Sequence, residues 1–71
     1  QLEVYPNPTT GILTINSNDL SGKQFNLIDL NGKVVMSFEA TESKTHVDLS
    51  NFSKGIYTLQ LENNLTKVVV R

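Results

Sequence analysis

Side chains able to do chemistry are few in this sequence, and their spacing gathers none of them into a reactive set. His46 is the only histidine. It alternates with Val47, which is expected to point inward, so the imidazole is expected in solvent, away from any catalytic or ligand role. Serines and aspartates are present, but nothing sets a nucleophile beside a base, and so short a chain leaves little room for a substrate pocket. Asn16, Asn18 and Asp19 lie close together without the ordered D-x-D-x-D-G spacing of a calcium loop; the same residue types form Asx turns. Cysteine is absent, which excludes disulfides and thiolate metal sites. Gly11, Gly22, Gly32 and Gly55 are isolated, each at an expected turn, so no glycine-rich phosphate loop exists. Asn51-Phe52-Ser53 and Asn64-Leu65-Thr66 match the glycosylation sequon, in places where turns use asparagine anyway. The expectation is a chain that is not an enzyme and that needs no cofactor and no metal.

Charge and hydropathy narrow the partners. Six basic and seven acidic residues leave a formal net charge of −1. They form no block of like charge, so neither a nucleic-acid footprint nor a polybasic membrane patch is visible. Val34-Val35-Met36 and Val68-Val69-Val70 are too short to cross a membrane. Gln1-Leu2-Glu3 is not the basic start of a secretory signal. The chain begins without Met and is expected to be a fragment of something longer. Its 71 residues form one expected domain, residues 1–71. A chain of this size buries only about 60% of its unfolded surface, so its stability is expected to be marginal.

The elements that position these residues all follow a period of two. Strands are expected at residues 2–5, 12–16, 24–29, 33–39, 45–49, 56–62 and 66–71. Pro6-Asn7-Pro8 stops the first strand, because two prolines fix φ and remove two donors. Asn31-Gly32 is a strong hairpin signal, and Asn63-Asn64 is expected to turn the chain into the last strand. No stretch shows helical apolar spacing with caps. Turn signals at about 8–12 residues indicate a sandwich or barrel. Between strands five and six lie Leu49, Phe52, Gly55 and Tyr57. An apolar anchor, a glycine and a tyrosine two places later suit a sheet-crossing corner, with the tyrosine hydroxyl bonded to backbone near residues 52–54. The favoured fold is an all-β, seven-stranded antiparallel β-sandwich of immunoglobulin-like form. Its expected core is Val4, Leu13, Ile15, Phe25, Leu27, Val34, Met36, Phe38, Val47, Leu49, Tyr57, Leu59, Leu61, Val68 and Val70.

Four segments occur in a fixed order. Val4-Tyr5-Pro6-Asn7-Pro8-Thr9-Thr10-Gly11 opens the chain. Leu27-Ile28-Asp29-Leu30-Asn31-Gly32-Lys33-Val34 lies in the middle. Asp48-Leu49-Ser50-Asn51-Phe52-Ser53-Lys54-Gly55-Ile56-Tyr57 follows, and Lys67-Val68-Val69-Val70-Arg71 closes it. Together they resemble the type A C-terminal sorting domain of cargo proteins exported by the type IX secretion system of Bacteroidota. The resemblance covers the whole chain; Phe52 departs from it, where the family more often has leucine. It implies a domain at the end of a larger cargo protein, recognised in the periplasm and directing passage through the outer-membrane translocon. It also implies a sortase-like cysteine peptidase as a partner, with release of the cargo or its attachment at the cell surface. No direct insertion into the membrane is implied.

The motif residues have two readings each. Pro6, Asn7, Pro8 and Gly11 build a rigid opening turn, or are themselves read by the machinery. Asp29, Gly32 and Lys33 belong to the hairpin, with Asp29 capping the turn, and Gly55 and Tyr57 build the corner. Lys67 and Arg71 form a basic face that is either solvated or able to steer an encounter with an acidic groove. The rival to a sorting domain is a fibronectin-like spacer or a carbohydrate-binding module of a secreted enzyme. Sugar binders expose aromatic platforms, and this chain has no tryptophan. A third expectation is edge-to-edge self-association through residues 66–71, if they form an open edge.

Overall fold

A computed structural model describes residues 2–18 and 21–71. The strands are β1 (Glu3–Tyr5), β2 (Ile12–Asn16), β3 (Gln24–Ile28), β4 (Val34–Glu39), β5 (Lys44–Asp48), β6 (Gly55–Leu61) and β7 (Asn64–Val70). They form two antiparallel sheets, β1-β2-β5 and β4-β3-β6-β7. In immunoglobulin lettering these are A-B-E and C′-C-F-G, with the corner tyrosine near the start of the strand corresponding to F. No helix is present among the described residues, and so no helix is long and apolar enough to cross a membrane.

Alternation decides which side chains are buried. Leu13, Ile15 and Val47 from one sheet meet Phe25, Leu27, Leu59 and Val68 from the other. The Phe25 and Phe38 rings stack across β3 and β4 with centroids 5.2 Å apart. No buried side-chain nitrogen or oxygen among the described residues lacks a partner. Most of the expected core is there. Val4, Met36 and Phe38 are only half-buried, packed against its edge.

Val34 is a correction: it is 48% exposed. Leu27 pairs with Met36 but Ile28 pairs with Val34, so Val35 is an extra residue in the ladder. A bulge of this kind reverses the facing of everything beyond it. Met36 and Phe38 therefore face the core while Val34 faces out. Ala40, Thr9 and Thr14 are buried although patterning did not select them. The turn into β7 also differs. Leu61 pairs with Asn64, so residues 62 and 63 make the turn and Glu62 takes a φ of 55°. The last strand consequently starts at Asn64 and ends at Val70, earlier than expected at both ends.

Candidate functional site

The opening segment is built to grip β7. Both X–Pro bonds, Tyr5–Pro6 and Asn7–Pro8, are cis. Between the prolines, the Asn7 side chain meets the β7 backbone: its Nδ2 donates to the Lys67 carbonyl at 2.8 Å and its Oδ1 accepts from the Val69 N–H at 3.0 Å. Thr9 continues the pairing. Its N–H donates to the Val69 carbonyl at 2.8 Å, and its carbonyl accepts from the Arg71 N–H at 2.9 Å. A side-chain amide has the donor and acceptor of a peptide group, so Asn7 extends the short parallel bridge of Thr9 with Val70 by one more step. Buried Thr9 is itself satisfied, its hydroxyl donating to the Ile12 carbonyl and accepting from the Gly11 N–H.

This pairing overturns the expectation of an open edge at residues 66–71. Backbone groups of Lys67, Val69 and Arg71 that an incoming strand would need are already engaged. It also gives the basic end a packing role that parity alone did not show. The Lys67 and Arg71 side chains remain exposed while their backbones are held. Gly11 is a second adjustment. It has no positive φ, and a Cβ there would meet only the Ser50 Cβ at 4.0 Å, so the backbone does not demand glycine.

The β3–β4 hairpin is fixed by one carboxylate. Asp29 Oδ1 accepts from the backbone N–H of Asn31 and of Lys33, both at 2.9 Å. The Gly32 N–H donates to the Asp29 carbonyl at 3.0 Å, and Gly32 takes a φ of 84°. The turn thus spans residues 29–32 with glycine in the left-handed position at its end, rather than placing Asn31-Gly32 as the two central residues. Lys33 is exposed beside it.

The corner after β5 is closed from both sides. Asp48 Oδ1 accepts from the Ser50 N–H at 2.9 Å, and the Phe52 N–H donates to the Leu49 carbonyl at 3.0 Å. Hydrogen bonds from the Ser50 side chain and backbone hold the Asp48 carboxyl below its ordinary value. Gly55 has a φ of 153°, a conformation that only glycine adopts without strain. Tyr57 packs its ring against Phe52, centroids 6.0 Å apart, and its hydroxyl donates to the Ser53 carbonyl at 2.7 Å.

Register gathers these pieces at one end of the four-stranded sheet. Ile28, just before Asp29, pairs with both Val34 and Thr58; Gly55 pairs with Val70; Val70 bridges to Thr9. The hairpin and the corner share a shallow depression of about 170 Å³ between residues 29–31 and 54–57. Motif residues absent from its lining are Pro6, Asn7, Pro8, Gly11, Gly32, Lys33, Lys67 and Arg71. A larger, open hollow of about 590 Å³ lies toward the other end, bordered by polar residues such as Gln24, Asn26, Gln60 and Glu62, with none of the motif residues. His46 is exposed, its Nδ1 3.0 Å from the Thr14 hydroxyl. No group of three potential metal ligands occurs among the described residues; Asp19 of the Asn16-Asn18-Asp19 loop lies outside them.

Comparison with known proteins agrees with this ordered set of turns. The family described as the secretion system C-terminal sorting domain matches residues 3–71. A protein named ulvan lyase NLR42, from Nonlabens ulvanivorans, is 35% identical over 66 residues, covering 92% of this chain. Those residues span only 12% of that protein's length.

Proposed function

Because the chain belongs to the family of secretion system C-terminal sorting domains, the type IX sorting signals of secreted cargo, we propose that residues 1–71 act as one recognition unit for that machinery. The sorting domain is not itself catalytic. Its cargo is exported through the outer membrane to the surface or the medium. The finer steps belong to the proposal: recognition in the periplasm, passage of the attached upstream cargo through the translocon, cutting by a sortase-like cysteine peptidase, and release or surface attachment.

The observation that supports this reading is the convergence of all four motifs on one end of a small sandwich. There the Asn7 side chain holds the β7 backbone at Lys67 and Val69, and the hairpin and the corner border one depression, which fits a surface that must keep one shape while being read. A sugar-binding rival finds little support. Among the described residues Tyr5 is the only exposed aromatic, and a single ring makes no platform.

The test is a fusion of residues 1–71 to the C-terminus of a periplasmic reporter, expressed in a strain with a working type IX system and in one without. The reporter is expected outside the first and inside the second. Equal periplasmic retention of an intact, folded fusion in both strains contradicts the proposal.

A further inference from the structure

The outer face of the β4-β3-β6-β7 sheet changes character along its length. Toward one end Gln24 pairs with Glu39, and Asn26 lies between Ser37 and Gln60. Toward the motif end Ile28 lies between Val34 and Thr58, and Ile56 pairs with Val69. The polar rows satisfy one another: the Ser37 hydroxyl donates to Asn26 Oδ1 at 2.7 Å, and Asn26 Nδ2 donates to Gln60 Oε1 at 3.3 Å. The apolar rows have no such cover. Val34 is 48% exposed, Ile56 41%, and Leu30, which borders the same depression as Ile56, 77%. The bulge at Val35 is what turns Val34 outward to join them.

Cations stand around this patch. Lys33 precedes Val34, Lys54 borders the depression, Lys67 pairs with Thr58, and Arg71 shares the outward parity of Val69. These are four of the six basic residues of the chain. None forms an ion pair with a described residue. Asp29, the carboxylate of the same hairpin, has Oδ1 engaged by two backbone N–H groups.

We propose that this patch docks a protein of the export machinery whose contact surface is apolar at its centre and carries carboxylates at its rim. The inference rests on the sorting-domain reading and names the chemistry of its partner. An apolar centre inside a charged rim is the arrangement of a protein–protein interface, and opposite charge across the rim speeds encounter and fixes register. A membrane surface fits less well. Lipid-binding faces cluster their cations in one basic block and use tryptophan or tyrosine at the interface, whereas these cations are spread around a centre of Val, Leu and Ile.

The test uses the reporter fusion with Leu30→Ser and Ile56→Thr combined, with Leu30→Ser alone, and with Leu65→Ser. Leu65 is 66% exposed and pairs with Gln60 in the polar part of the sheet, so it controls for loss of an exposed leucine. The patch pair is expected to lower export about tenfold with an unchanged thermal melt, and Leu65→Ser to leave export intact. If the pair lowers the melt, Leu30→Ser decides, since a hairpin-tip side chain this exposed has no core to disturb. A photo-crosslinking residue at position 30 is expected to join an outer-membrane protein at an acidic segment. Normal export of Leu30→Ser and of the pair overturns the docking surface. So does capture of the parent by phosphatidylglycerol vesicles, with crosslinks to lipid alone, which makes the patch a membrane contact. A parent fusion that stays in the periplasm refutes the sorting reading itself, a distinct result because it precedes any variant.

Discussion

The two ends of the four-stranded sheet reverse the chain by different means. At the motif end, side chains clamp backbone: Asn7 holds β7, Asp29 holds its hairpin, and Tyr57 holds the corner. At the other end the β6–β7 turn uses Glu62 in a left-handed conformation, and an exposed ion pair joins Lys23 to Glu62 at 2.9 Å. The first end depends on particular residue types, because an alanine at 7, 29 or 57 leaves a backbone group without its partner. The second tolerates substitution, because its turn residue is already a poor fit and its ion pair is solvated. Specific sequence is therefore concentrated where the fold needs it and where recognition is proposed.

The sharpest way to break this comparison is at the corner. Tyr57→Ala is expected to cost about 3–5 kcal/mol, like a buried Phe→Ala deletion, and to leave little stability in so small a chain. Tyr57→Phe keeps the ring and loses the bond to the Ser53 carbonyl, so it is expected to cost about 0.5–1.5 kcal/mol. Urea midpoints measure both, and an unchanged midpoint for Tyr57→Phe would show that the hydroxyl contributes nothing to the corner. Asn7→Ala comes next. It removes two hydrogen bonds to β7, at a combined cost of about 1–3 kcal/mol, and hydrogen exchange should quicken at Val69. Equal protection of Val69 in both proteins would dismiss the clamp.

The other end should respond in the opposite direction. Glu62→Gly relieves a left-handed residue and loses a surface ion pair, so stability is expected to rise by up to about 1 kcal/mol. A clear loss would mean that this end is as specific as the first. The smallest effect is at Asp48. Its carboxyl lies below the ordinary value of 3.8 when folded, so its contribution is present above that pH and lost as pH falls through the lower folded value. Asp48→Asn is expected to flatten that acid limb in melts taken across it; parallel limbs in the two proteins would rule the contribution out.

Much of this was legible in the sequence, for physical reasons that differ by element. Alternation located the seven strands because one face of each is buried, and Tyr57 was recognisable because a ring two places after Gly55 suits a sheet crossing. Val34 was not legible: a single extra residue at Val35 inverts its facing, and no local pattern announces a bulge. Nor was the grip of Asn7 on β7, which joins residues sixty positions apart and depends on a side-chain amide standing in for backbone. Thr9 was hidden for the same reason, a polar residue buried by a pairing no local pattern reveals. The recognition roles proposed for Lys67 and Arg71 are tested by an export measurement.

That measurement is a charge reversal at the basic end. Lys67→Glu and Arg71→Glu change exposed side chains while leaving the backbone bonds to Asn7 and Thr9 in place. The melt is expected to move by no more than about 0.5 kcal/mol, as for most surface substitutions. Export of the reporter fusion, read on the same double variant, is expected to slow or stop. A normal melt with normal export would contradict the claim that this end is read by its charge, and would leave Lys67 and Arg71 as a solvated face.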